Sequence, residues 1–340
     1  MKKLYLSLLI FFIPAAPSYC QYVTDVSAVG TTAASFLEIE VGSRAIGMGG
    51  AFVAVADDAS AIFWNPAGLS RLEKNELTFT HTEWLIDINF DFAGGILSLG
   101  DNGVIGISMT ALSMPDMEVR TVEEPEGTGE MFSVGSMALA LSYARNLTDR
   151  FSVGFNTKYI QEKIWHMTAT SVAIDFGTLF ITQFNDMRLG MTISNFGTDM
   201  TLSGRDVLVY HDIDPSIMGN NELTEAGLVT DKWPLPLTYR VGLAMDVLSS
   251  GDSRLTLAVD AVHPNNNTEY LSFGAEYVLK NLLFLRGGYS SLGKRDSEEG
   301  FQFGAGLRNN IGMIALKVDY AFAEFGILGN THRVTLGMEF

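Results

Sequence analysis

From residue 75 onward, apolar and polar side chains alternate in short blocks. In the last block, 331–340, His332, Val334, Leu336, Met338 and Phe340 fall on one face, and Thr331, Arg333, Thr335, Gly337 and Glu339 on the other. A two-residue period is that of a β-strand with one apolar and one polar face. The same pattern recurs at 76–83, 87–99, 103–114, 132–146, 150–165, 167–181, 186–198, 236–248, 253–264, 268–279, 281–292, 300–309, 313–325 and 331–340. About fourteen strands, an even number with apolar residues spread one in two, predict a closed antiparallel β-barrel crossing an outer membrane. The fold class read here is therefore all-β, with outer-membrane lipids covering the apolar face.

The connections carry a second signal. Those after even-numbered strands are short: 100–102, 147–149, 184–185, 249–252, 280 and 310–312, several with the Asn, Asp and Gly of tight hairpins. Those after odd-numbered strands include the long ones, 115–131, 199–235 and 293–299. Membrane barrels have short periplasmic turns and longer outer loops. This parity places the long connections outside the cell and the N-terminal segment on the periplasmic side. The long connections are acidic: Asp116, Glu118, Glu123, Glu124, Glu126 and Glu130 stand against Arg120 alone in the first. The second reads as a structureless loop, which at that length is functional or disordered.

The N-terminus fits export. Lys2 and Lys3 precede an apolar run, Leu4 to Ile13, too short to span a bilayer, and small residues at Ser18 and Cys20 mark a cleavage site before Gln21. Residues 1–20 thus read as a signal peptide, 21–74 as a separate N-terminal segment and 75–340 as the barrel. Cys20 as a lipoprotein cysteine is disfavoured by the bulky Tyr19 before it. Mean hydropathy is +0.19 without a long apolar run, as barrels allow and helical membrane proteins do not. A net charge of −17 argues against nucleic acid, which demands clustered Lys and Arg.

Residues 21–74 do not alternate. Gly47, Gly49 and Gly50 permit close backbone approach or positive φ. Asp57, Asp58 and Ser60 can cap a short helix through 59–63, and Asn65-Pro66 breaks it and fixes the exit into the first strand. A Gly/Ala-rich piece of this size joined directly to a barrel fits a plug in the lumen, where the guanidinium of Arg44 would need a carboxylate partner. The stretch Phe36 to Ser70, F-L-E-I-E-V-G-S-R-A-I-G-M-G-G-A-F-V-A-V-A-D-D-A-S-A-I-F-W-N-P-A-G-L-S, resembles the N-terminal signature of the PorV/PorQ family. That family lies within the FadL-like barrels, which share the D-D-A-S and N-P-A-G core matched by Asp57–Ser60 and Asn65–Gly68. The resemblance implies a hatch inside a fourteen-stranded barrel. It also implies one of two roles: an accessory of type IX protein secretion that binds secreted cargo or the translocon through outer loops, or a passive transporter of hydrophobic small molecules. A transporter predicts an apolar pocket and a gap where a strand kinks; an interaction protein predicts ordered loops and a filled lumen. The terminal Phe340 resembles the signal read by the barrel-assembly machinery.

Enzymatic chemistry finds no footing. Histidines 81, 166, 211, 263 and 332 lack metal-ligand spacing, and there is no G-x-S-x-G elbow, so no catalytic residue, metal or cofactor is expected. Gly288–Lys294 fits most of a phosphate-binding loop but lacks the Ser or Thr after the lysine and a following helix. Trp84, Tyr143, Tyr159, Trp165, Tyr277, Tyr289 and Tyr320 read as interfacial anchors. Lys158, Lys163, Arg240, Arg286, Arg308 and Lys317 lie within strands, and most are expected in the lumen because a lipid-facing charge at mid-depth costs about 2–4 kcal/mol.

Overall fold

The computed structural model describes residues 28–219, 223–294 and 297–340; the stretch 1–20 read as a signal peptide, the cleavage site expected at Cys20-Gln21 and the rest of 1–27 lie outside the described residues. Fourteen long strands form the wall: β1 (Glu76–Glu83), β2 (Asn89–Ser98), β3 (Val104–Ser113), β4 (Val134–Thr148), β5 (Phe151–Ile164), β6 (Met167–Ile181), β7 (Arg188–Gly197), β8 (Thr238–Ser250), β9 (Ser253–Pro264), β10 (Tyr270–Leu279), β11 (Leu283–Leu292), β12 (Phe301–Ile311), β13 (Ile314–Glu324) and β14 (Asn330–Glu339). Each pairs antiparallel with its chain neighbours, and β1 also pairs with β14, Glu76 opposite Glu339 and Glu83 opposite His332. The sheet therefore closes on itself and leaves no edge. Backbone bonds between Asn75 and Phe340 extend the seam (3.2 and 3.0 Å).

Side chains alternate across this wall. Along β3, Ile105, Ile107 and Met109 point outward and are exposed, while Val104 and Ser108 are buried. Leu141 at 60% and Leu336 at 51% exposure belong to the same outer belt. Lipid covers such a belt without cost; water does not. No helix among the described residues is long and apolar enough to cross a membrane; the strands cross instead.

The short-turn end is tightly built. Asn185-Asp186 and Lys280-Asn281 have positive φ at both central positions, the hairpin geometry whose twist matches the strands. The long connections are more ordered than the sequence pattern predicts. Within 198–237, Leu208–His211 pairs with Thr224–Gly227, Met200–Thr201 with Lys232–Trp233, and Ser203–Gly204 with β6. The pattern there is obscured because both faces of the hairpin are wet, so no alternation develops.

Residues 28–74 join none of these strands. They carry two short helices, α1 (Ser43–Gly47) and α2 (Ala61–Trp64), and 3₁₀ turns at Ser35–Glu38 and Pro66–Arg71. Phe52, Trp64, Ala45, Met48 and Leu69 are fully buried against lumen-facing residues such as Phe90, Phe92 and Val104. The hydrophobic core thus sits inside the barrel, between the segment and inward-facing wall residues, while the other apolar half of the strand alternation faces out.

Candidate functional site

The wall and the N-terminal segment meet backbone to backbone. A Cβ added at Gly47 would lie 2.9 Å from Gly304 Cα, and one at Gly49 would lie 2.6 Å from the nitrogen of Tyr289. Gly49 and Gly50 also hold φ of +66° and +73°. The complementary glycines lie on the strands: a Cβ at Gly154 would sit 2.3 Å from the carbonyl carbon of Pro66, and one at Gly288 2.2 Å from the nitrogen of Gly49. Sequence reasoning missed this strand set. Its signal is a glycine in the inward half of a strand's alternation, where a side chain would otherwise fill the lumen.

Arg44, in α1, is the charged centre. Its Nε and Nη2 donate to Glu276 of β10 (2.8 and 3.0 Å), and Nη1 donates to Asp57 (2.5 Å) and Asp58 (3.1 Å). Arg71 and Arg286 add to the cluster at 3.6 Å from Asp57 and 2.8 Å from Glu276. Burial alone would raise the Asp57 carboxyl; Arg44, then Arg71, overcome it and hold the group well below the usual carboxylate range. Asp57 is therefore spent on the ion pair, not on a helix cap. Asp58 organises the turn, its Oδ1 accepting from the backbone nitrogen (2.9 Å) and hydroxyl (2.5 Å) of Ser60. The helix itself starts at Ala61 with no side-chain cap at Ser60.

Asn65 is fully buried. Its amide donates to the carbonyls of Val53 (2.9 Å) and Thr178 (3.0 Å), and its oxygen accepts from Ala67, opening the 3₁₀ turn that begins with Pro66. One side chain thus ties the segment to itself and to β6. On the opposite wall, Asp260 of β9 accepts from the nitrogens of Phe52 and Val53 (2.8 and 2.9 Å).

The one irregular place between β6 and β7 lies at Ile174–Phe176, where the register shifts and Asn195 has φ of +64°. It is filled by polar groups. Lys158 pairs with Asp175 (2.7 Å) and donates to Asn195 (2.9 Å); Asp175 also accepts from the nitrogen of Asn195 and from Asn156. All four residues are buried. Most of the strand cations face inward as expected. Lys158, Arg240 and Arg286 are buried, Arg308 and Lys317 pair with Glu339, and Lys163 is exposed at its strand end.

A recess opens at each end of the lumen. The one at the short-turn end, about 210 Å³, is lined by Arg44, Asp57, Asp58, Glu76, Lys317 and Asp319 among others. The one at the long-loop end, about 430 Å³, is lined by Glu38, Glu40, Arg240, Tyr270, Gln302 and Arg333. Trp84 lines it too, packed edge-on against Phe325 (5.2 Å) with Arg333 over its ring at 5.4 Å. This corrects the reading of Trp84 as a membrane anchor: a cation and a second aromatic hold it inside the mouth. Tyr143, Tyr159, Tyr277 and Tyr320 are exposed on the outer surface.

Glu40 gives this end a pH response. Burial, reinforced by Glu299, pushes its carboxyl from 4.5 up to about 7 against the pull of Arg240, Arg333 and Lys294. A raised native value means the folded state holds the proton more tightly. The stabilisation is complete below about 4.5 and lost as pH rises through about 7. Glu40→Gln is expected to flatten the decline in melting temperature across that window. An unaltered slope in the variant would assign the decline to other groups.

A family model described as type IX secretion system protein PorV matches residues 23–202. No curated protein matches the chain. Among solved structures the chain is similar to a Pseudomonas aeruginosa FadL homologue, with 11% identity, a TM-score of 0.55, and coverage of 88% of this chain and 98% of that one. It is similar to the Ralstonia pickettii toluene transporter TbuX at 12% identity and TM-score 0.55, over 88% of this chain and 97% of that one. The Pseudomonas putida toluene transporter TodX gives 12% identity and TM-score 0.53 with the same coverages. At these identities the likeness is one of fold.

Proposed function

This chain belongs to the PorV family of type IX secretion system proteins, and from that premise we propose that it is a non-enzymatic accessory of protein secretion which engages secreted cargo or the translocon with its long-loop end. The protein is an outer-membrane β-barrel of a Gram-negative-type bacterium. Residues 21–74 act as its hatch, and the long-loop end faces outside. Phe340, exposed at the seam beside Asn75, serves the barrel-assembly machinery as a recognition signal.

The observation that carries this reading is the ordered long-loop end above a filled lumen. The connection 198–237 is braced by three strand pairings yet leaves Met218 and Val229 at 97% exposure, and Val122 of the connection 115–131 at 99%. Apolar side chains held out on a braced, acidic scaffold suit contact with another protein. The alternative role, passive passage of hydrophobic compounds, calls for an apolar gap in the wall. The irregular place between β6 and β7 instead holds the Lys158–Asp175 pair.

The test replaces the hairpin 206–229 with a short epitope. The barrel is expected to assemble, judged by heat-modifiable electrophoretic mobility, and the epitope to be labelled on intact cells. Surface delivery of type IX cargo should fall several-fold while uptake of a labelled fatty acid is unchanged. Normal secretion with lost uptake would reverse the assignment in favour of transport.

A further inference from the structure

We propose that the recess at the long-loop end binds a small polar carboxylic acid, its carboxylate held by Arg333 and Arg240 and its hydroxyl or amine groups by Asn266 and Gln302.

The argument begins with a difference between the two ends. Every cation lining the short-turn recess, namely Arg44, Arg254, Arg286, Arg308 and Lys317, has a carboxylate within 4 Å. At the other recess, neither Arg240 nor Arg333 has one among the described residues, although they are only 6% and 2% exposed. Both guanidiniums rest on rings instead, Arg240 over Trp64 at 5.4 Å and Arg333 over Trp84 at 5.4 Å. Arg333 Nε and Nη1 are buried with no hydrogen-bond partner among the described residues. Unmet buried donors on a charged group are costly, and native proteins satisfy them.

The aromatic faces leave the guanidinium edges free for a planar, bidentate anion, which is what a carboxylate offers. The opposite need stands beside them. Asn266 Nδ2 donates to Thr32 and Glu38 (both 3.1 Å), while its Oδ1 and Gln302 Oε1 have no partner among the described residues. Buried acceptors of this kind call for N–H or O–H donors on the same ligand. Glu38, Glu40 and Glu299 on the lining exclude a long alkyl tail. The volume, about 430 Å³, falls at the small end of ligand pockets, roughly 300–1,000 Å³. A sugar acid or an amino acid meets these terms; a neutral sugar lacks the carboxylate.

Trp84, 5.4 Å from the Arg333 guanidinium, supplies the readout. Purified full-length protein in detergent is titrated with D-galacturonate, L-serine and neutral D-galactose while tryptophan fluorescence is followed. A saturable change is expected with galacturonate or serine, the stronger of the two naming the donor type, and none at the same concentrations with galactose. Arg333→Gln should weaken binding roughly thirtyfold or more, as when one partner of a buried charge pair is removed. The exposed Lys163→Gln should leave it unchanged. If Arg333→Gln fails to give the heat-modifiable barrel, Gln302→Leu, which removes an uncharged amide and leaves both guanidiniums in place, carries the same comparison by calorimetry. No saturable response to either acid, an equal response to galactose, or undiminished binding in the recess variants would overturn the proposal.

Discussion

Replacing Arg44 with methionine is expected to destabilise the N-terminal segment by about 3 kcal/mol, the lower part of the range for breaking a buried ion pair. The geometry sets the size. Arg44 touches three carboxylates, and its side chain and those of Asp57, Asp58 and Glu276 are 15%, 26%, 13% and 0% exposed. Methionine fills similar space but leaves those charges short of a cation. Arg286 and Arg254 still serve Glu276, and Arg71 still reaches Asp57, which keeps the loss from the top of the range. The measurement is limited proteolysis between residues 43 and 68, followed against denaturant, with heat-modifiable mobility reporting the barrel. Adding Glu276→Gln to Arg44→Met should recover part of the loss, because the two residues share one interaction. Additive losses in that cycle would count against a direct Arg44–Glu276 coupling.

The second large effect is expected from a wedge in the wall. A Cβ at Gly154 would lie 2.3 Å from Pro66 and 2.4 Å from the nitrogen of Ala67, and one at Gly177 2.2 Å from Asn65 Oδ1. Those atoms are main chain or a fixed amide and cannot swing aside. Gly154→Leu should therefore push residues 65–67 off β5 and β6 while the strand pairing outside survives. In planar bilayers the unaltered protein should pass little steady current, since a barrel of this size is narrower than the sixteen-to-eighteen-stranded porins and is filled. The variant should leak. Large stable conductance steps from the unaltered protein would refute the filled lumen; a tight Gly154→Leu barrel would mean that the segment is not the seal.

The wall was legible in the sequence because lipid enforces a strict period of two. Ile105, Ile107 and Met109 cannot trade places with their neighbours without putting polar groups into hydrocarbon. Ends were less legible. The block read at 236–248 forms a ladder only from Thr238 to Ser250, since Pro234 and Pro236 lack the N–H a ladder needs. That Arg44 requires a carboxylate follows from its charge, but its partner Glu276 stands 232 residues away. Nothing local distinguishes that glutamate from others on strands. Trp84 misled for a related reason: an aromatic at a strand end reads alike whether it turns toward lipid or toward the mouth. Arg333 and Thr331 fall on the polar half of the alternation, yet that face is not wet; it looks into a packed interior, where both residues are buried.

At several places the segment meets the wall as glycine against main chain, Gly154 against Pro66 and Gly288 against Gly49 among them, and this bears on how such a protein can change over time. Side-chain packing ties each residue to the shape of its neighbour, so one replacement demands another. Backbone laid on backbone asks for the absence of a side chain at a few places and is indifferent to what surrounds them. A wall built this way can be rewritten around Gly154 and Gly288 while the seating of the segment stands still, so long as those few positions stay bare.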